Sequence, residues 1–423
     1  MLLLFDRSEY LAELAIRSPD LVDMLVTGER LVQRKTSEEI LRELQRGSED
    51  ADQFAWLRRY HEAELMRIGL RDILGLVDFE QNLTELTALA DACIQYALEV
   101  VLRSHGLERP PFAIIGLGKL GGCEINYGSD LDLMFVADRK AKDLAALQRL
   151  AVEVLELLSR RTEHGIVFHT DVRLRPDGEK GLLVNTLDAH EQYYRHRAQL
   201  WEIQALTRTR YVAGNLQIGE EFQQLAASLS DFRLENVAAG FPLRSAGMTS
   251  PQKGFSAAHA EAVGATRLRS AGGRGLAAYR PDWKAEIHKM RMRIERDRTP
   301  PGKDHLAIKT GKGGLMDAEF IAQALCMQYG WREAHTLRAL ERARAAGVLP
   351  DADKLIENYS QLRRVEGILR RWSYEGETVL PDDPAPFYRV SVRCGFSTPD
   401  AFRHALEHWR TAIREVYSKV FGP

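Results

Sequence analysis

Residues 116–136 read Gly116-Leu-Gly118-Lys119-Leu-Gly121-Gly122-Cys-Glu124-Ile-Asn-Tyr-Gly-Ser129-Asp130-Leu-Asp132-Leu-Met-Phe-Val136. The short apolar run before it, 112–115 (Phe-Ala-Ile-Ile), has the pattern of a buried strand, and 131–136 reads as a second strand. Side chains alternate faces along a strand. Asp130 and Asp132 therefore project together, while Leu131, Leu133 and Phe135 turn to the core. Two carboxylates on one face are costly unless a cation lies between them. Such hard oxygen ligands suit Mg²⁺, which takes one or two carboxylates and substrate phosphates. Just upstream, Gly116, Gly118, Gly121 and Gly122 let backbone N–H groups approach a phosphate, and Lys119 adds a point charge. The plain alternative for Ser129-Asp130 is an ordinary turn with a solvated edge. Glu124 reads equally as a salt bridge, a ribose contact or a surface charge.

Working outward, Ile166 to Leu174 reads as a third strand stopped by Pro176. Asp171, Arg173 and Arg175 share one of its faces, and Phe168, Val172 and Leu174 the other. Asp171 is thus a candidate third metal ligand or a general base, and the two arginines are candidates to hold phosphate oxygens. Phosphates beside carboxylates are what phosphoryl-type transfer needs, with two ions ~3.5–4 Å apart clamping the attacking and leaving oxygens. Two rival readings fit poorly. Gly116-x-Gly118-x-x-Gly121 has the letters of a dinucleotide fingerprint, but the next strand begins only ten residues after Gly121 and carries two acids. A P-loop needs Ser or Thr after its Lys, and Leu120 follows Lys119.

The rest of the 423 residues is mostly helical in pattern. Thr36 with Glu39 forms a capping box, and Leu83 to Leu102 carries one apolar stripe. Ala145 to Arg160 is amphipathic, and Leu187 to Arg210 also reads as helix. Five more candidate helices are Trp283 to Arg298, Met316 to Tyr329, Glu333 to Ala346, Ala352 to Tyr374 and Pro399 to Phe421, with a break at Pro381 to Pro386. Residues 237–281 lack periodicity and hold six basic residues against one acid, Glu261. They read as a flexible insertion or, alternatively, a shifted reading frame. The expected division is 1–108 helical, 109–236 catalytic, 237–281 inserted and 282–423 a helical bundle.

Composition bounds the function. With 58 basic and 60 acidic side chains, the net charge of −2 gives no argument for nucleic-acid or membrane-surface binding. Four cysteines with no C-x-x-C spacing suggest no zinc ribbon and fit a reducing cytosol. Met1 to Phe5 is too short for a signal peptide or membrane helix, so a cytoplasmic protein is expected.

The glycine loop, Ser129-Asp130-Leu-Asp132 and Asp171-x-Arg173-Leu-Arg175-Pro176 resemble the bacterial glutamine synthetase adenylyltransferases, members of the DNA polymerase β-like nucleotidyltransferase superfamily. Similar matches are Trp201-Glu202-Ile-Gln204-Ala-Leu-x-Arg208-x-Arg210 and Ile308-Lys309-x-Gly-x-Gly313-Gly314-Leu-Met-Asp317-Ala-Glu319-Phe320. The opening Ser8-Glu-Tyr-Leu-Ala-Glu-Leu looks like the linker before the family's second catalytic half. The resemblance covers nearly everything except 237–281.

It implies an α+β fold: a small mixed-sheet, polymerase β-like domain flanked by helical domains. It implies that Asp130, Asp132 and Asp171 bind two Mg²⁺ ions. Gly116, Gly118, Lys119, Gly121, Ser129, Arg173, Arg175 and Lys309 would bind ATP, and Lys309, Asp317 and Glu319 would close the site. The last two also suit a plain helix start, where acids are favoured in the first turn. The implied reaction is transfer of AMP from ATP to a tyrosine of glutamine synthetase, with a PII-type signalling protein as a further partner and no nucleic acid or membrane. Gln204 looks more like the attaching half than the removing one. One catalytic motif then implies a fragment or a shortened enzyme, and the alternatives are adenylyl removal by phosphorolysis or a related nucleotidyltransferase with a different target.

Overall fold

Alternation along 112–116 builds the middle of the molecule. The computed structural model describes residues 2–27, 31–163, 165–242 and 276–422. Strand β1 (Phe112–Gly116) pairs antiparallel with β2 (Leu131–Ala137) on one edge and β5 (Arg210–Gly214) on the other. Two short strands, β3 (Thr170–Asp171) and β4 (Val184–Thr186), run parallel to β2. β3 lies at the start of β2, with Asp171 opposite Asp132, and β4 lies at its end, with Val184 opposite Phe135. The result is one small mixed sheet in a largely helical chain.

Both faces of that sheet are covered. Ala113, Ile115, Met134 and Val136 join a core shared with the later helices, among them Trp283–Arg298, Leu315–Tyr329 and Pro399–Phe421. Phe112, Ile114, Leu131, Leu133 and Phe135 join a second core with the earlier ones, Gln53–Ile73 and Phe79–Ser104. Burying each such side chain contributes about 1.5–3 kcal/mol, so the sheet is held from both sides. No helix among the described residues is long and apolar enough to cross a membrane.

Several expected elements are present with small shifts. Thr36 caps the Ser37–Gln45 helix through the expected box with Glu39, and Trp283–Arg298 and Pro399–Phe421 keep their expected bounds. Others need correction. The third strand is only two residues long, because the Asp171 carboxylate accepts the Arg173 N–H at 2.8 Å and turns the chain. The expected helix 187–210 divides into Leu187–His196 and Leu200–Ala205, a short 3₁₀ turn and the start of β5. The prolines at 381–386 do not only break helix: Pro384 opens one, Pro384–Arg393, at its first position, where its missing N–H costs nothing.

Residues 243–275 of the expected insertion lie outside the described residues. Its two ends do not behave as inserted chain: Phe241 and Leu276 are buried in the core, and the Phe241 and Tyr279 rings both lie against Phe232.

Candidate active site

Asp132 enters the site by register. Its position on β2 faces Asp171 on β3, and Asp130 stands just before β2 on the same face. The main chain of the glycine loop is tied to this point, since the Leu117 N–H donates to the Asp132 carbonyl at 2.9 Å. Gly118 then turns the chain with φ +54°, and a Cβ there would lie 2.3 Å from Asp132 Oδ2. Only glycine allows both the angle and the approach.

These residues line one side of a cleft of about 390 Å³. Gly118 and Lys119 come from the glycine turn, Ser129 and Asp130 from the turn before β2, Asp132 from β2, and Lys309, Glu319 and Arg370 from the later helical part. Asp132 is pushed up to about 6 by burial first, then by the negative charge of Asp171 and, more weakly, Asp130, with Lys309 opposing. A carboxylate held in that state invites a cation.

The other wall is basic. Lys119 Nζ lies 2.7 Å from Glu366 Oε1, and burial drives its ammonium down to about 7 although Glu366 pulls the other way. Glu366 is fully buried. Burial alone would raise it, but Lys119, Arg363 and Arg370 together hold it well below the ordinary glutamate range. Arg370 also donates to Ser129 Oγ at 3.2 Å. The Lys309 ammonium has no ion pair among the described residues, which leaves it available to an anionic ligand.

Not every expected residue is brought here. Gly116 is packed beneath Leu120 and Val212, and a Cβ on Gly121 would strike the Arg208 carbonyl at 1.8 Å, so both serve packing rather than a phosphate. Arg173 is exposed and grips the Asp171 carboxylate, with Nε 2.9 Å from Oδ2. That pairing holds Asp171 below its ordinary range. Arg175 donates to the carbonyls of Val172, Glu179 and Gly181 and braces the loop after β3. The three acids are therefore not gathered into a cage: among the described residues no three His, Cys, Asp or Glu side chains converge as metal ligands. Asp130 and Asp132 fit the two-carboxylate habit of Mg²⁺ with phosphate oxygens supplying the rest, and Asp171 joins only by leaving Arg173. Glu124 proves to be a buried clamp, paired with Arg208 and accepting from Thr336 Oγ1 at 3.0 Å.

Asp317 and Glu319, expected to act together, separate. Glu319 lines the cleft. Asp317 is fully buried behind it, 2.6 Å from Arg291 Nε, and accepts from the Gly313 N–H and Arg414, each at 3.0 Å. Arg291 in turn donates to the Gly311 carbonyl at 2.9 Å. This cluster holds the 309–314 loop that presents Lys309. Asp317→Ala should therefore cost about 3–5 kcal/mol of stability by taking from the buried Arg291 its closest carboxylate and leaving it only Glu295 at 3.4 Å, whereas Glu319→Gln should change it by about 0.5 kcal/mol or less. Chemical denaturation of both variants checks this, and equal losses would contradict the separation.

Sequence reasoning missed Glu366 and Arg370. Their helix, Ala352–Ser373, reads Arg363-Arg-Val-Glu366-Gly-Ile-Leu-Arg370-Arg371, which looks like a solvated charged face. The signal that separates it is Gly367, where a Cβ would lie 2.5 Å from the Phe79 ring.

The cleft thus sets carboxylates beside a glycine turn, facing lysines and an arginine. The family model of glutamate-ammonia ligase adenylyltransferase matches residues 1–225, and that of GlnD PII-uridylyltransferase matches residues 282–421. Proteins named bifunctional glutamine synthetase adenylyltransferase/adenylyl-removing enzyme are similar across most of the chain. The one from Streptomyces avermitilis is 30% identical over 90% of this chain and 35% of its own length. Those from Nitrosococcus oceani and Pseudomonas aeruginosa are each 29% identical, over 99% and 98% of this chain and 42% and 41% of their own. The chain belongs to the glutamate-ammonia ligase adenylyltransferase family. It spans about two-fifths or less of the length of these relatives.

Proposed function

We propose that this chain is a nucleotidyltransferase unit of polymerase β-like type that moves AMP from ATP to a tyrosine hydroxyl of glutamine synthetase. The observation that carries the reading is the pairing of Asp130 and Asp132 with Lys119 and Lys309 in one cleft, in a chain of this family. Residues 109–236 would form the catalytic unit, with helical regions 1–108 and 282–423 on either side, acting in the cytoplasm.

Asp130 and Asp132 would hold Mg²⁺, with Asp171 joining for a second ion. Bound there, Mg²⁺ would neutralise phosphate charge and favour departure of pyrophosphate. Gly118 leaves room for the Asp132 carboxylate itself. Lys119, Lys309 and Arg370 would face the polyphosphate and stabilise charge as it moves to the leaving group. Asp171 could instead accept the tyrosine proton, although its pairing with Arg173 makes it a weak base.

A polyphosphate beside Lys119 would restore its ammonium. Binding of MgATP at pH 8 should then take up close to one proton, read by calorimetry in two buffers of different ionisation enthalpy. Uptake absent from the wild type, or unchanged in Lys119→Met, would contradict this role.

The second reading, adenylyl removal, is the other of the two activities in the relatives' name. It is tested with pre-modified glutamine synthetase and orthophosphate: the attaching reading predicts no ADP, and release of ADP would reverse the direction. The match of residues 282–421 to a PII-uridylyltransferase supports a PII-type protein as a regulatory partner of the helical part.

A further inference from the structure

The lining of the cleft has two chemistries. The acids, lysines and Arg370 account for phosphates and cation. The remainder is apolar, formed by Leu174, Trp201, Met290, Ile294 and Phe320, with two amides, Gln204 and Gln323, set among them. Three helices that pack on one another, Leu200–Ala205, Trp283–Arg298 and Leu315–Tyr329, supply most of this part. An apolar slot with a few polar atoms suits a flat heteroaromatic ring that needs its faces covered and one edge read.

The two amides are joined to each other. Gln204 Nε2 donates to Gln323 Oε1 at 2.6 Å. Gln204 is 3% exposed, yet its Oε1 has no hydrogen-bond partner. The Gln323 Nε2 likewise makes no hydrogen bond to the protein among the described residues. A buried acceptor without a donor is costly and uncommon, and a place where one persists is a place where a ligand can supply the donor. The joined pair thus offers one acceptor and one donor side by side. Adenine presents the complement, an exocyclic N–H₂ beside a ring nitrogen, which is how a glutamine amide reads that base. A 6-oxopurine would set its oxygen against Gln204 Oε1.

We propose that Gln204 and Gln323 form the base-reading edge of a purine subsite and select a 6-aminopurine over a 6-oxopurine nucleotide. This rests on the reading of the cleft as a nucleoside triphosphate site. It adds the residues that choose the base.

The test is equilibrium binding of ATP, ITP and inorganic tripolyphosphate, each with Mg²⁺, to the whole chain and to Gln204→Met and Gln323→Met. The wild type should prefer ATP to ITP by roughly ten- to a hundredfold. Gln204→Met should weaken ATP about tenfold and bring the ratio close to one, with tripolyphosphate unchanged. Gln323→Met, at a half-buried position, should also lower the ratio and guards against a folding defect at Gln204. Equal binding of ATP and ITP by the wild type, or the wild-type ratio in both variants, overturns the proposal. Tripolyphosphate binding in that case leaves the nucleotide reading standing, whereas failure of the wild type to bind any of the three overturns both.

Discussion

Asp132→Asn is expected to lower AMP transfer by roughly a thousandfold while making the folded protein harder to unfold. The loss follows from removing one of two adjacent carboxylates that would hold the cation. The gain follows from the same geometry. Asp132 sits beside Gly118, opposite Asp171 and near Asp130, and its carboxyl is raised from 3.8 to about 6. A carboxyl raised on folding destabilises the protein above its folded value and not below its unfolded one. The variant should therefore gain up to about 2–3 kcal/mol at pH 7.5, and the gain should shrink as pH falls from 6 towards 4. Added Mg²⁺ should stabilise the wild type and leave the variant unmoved. Urea denaturation across that pH range, with and without Mg²⁺, reads the stability effects, and an AMP-transfer assay reads the loss. An inactive variant that is also less stable at neutral pH would mean that Asp132 is structural.

Glu366→Leu is expected to cost about 3–5 kcal/mol of stability, as much as Asp317→Ala. Lys119, Arg363 and Arg370 all meet this one fully buried carboxylate, and its removal takes away the negative charge they share, leaving Arg363 only the more distant Glu124 and Glu319. The folded carboxyl is depressed, so the wild-type margin is full above the ordinary value near 4.5 and is lost only as pH falls well below it. Denaturant midpoints of the two proteins between pH 7 and about pH 3 measure this. A variant as stable as the wild type at pH 7 would show that the three cations do not depend on Glu366.

How much of this was legible in the sequence depends on distance along the chain. The pair Asp130 and Asp132 was readable because a period of two and a glycine turn are local signals. The opposition of Asp132 and Asp171 was half readable. Both acids were visible, but the turn that ends β3 after two residues depends on one side chain, Asp171, accepting its neighbour's N–H. That same bond removed Arg173 and Arg175 from the cleft. β5 was hidden because Arg210 to Gly214 follows directly on helical pattern, and strand 210–214 is set by pairing with β1. The basic wall was half readable: Lys119 and Lys309 were visible, but Glu366 and Arg370 were not, since Lys119 and Glu366 are 247 positions apart and a charge run in a helix looks the same whether water or Phe79 covers it. The roles of Asp317 and Glu319 stayed open for a similar reason, since nothing local separates an acid that lines a cleft from one buried two residues earlier.

The most direct test is the intact mass of glutamine synthetase after incubation with this protein, ATP and Mg²⁺, beside an Asp130→Asn, Asp132→Asn double variant. One adenylyl group per synthetase subunit, carried on a tyrosine and absent with the double variant, is the predicted result. Unmodified synthetase in the presence of bound MgATP, or equal labelling by both proteins, would contradict it.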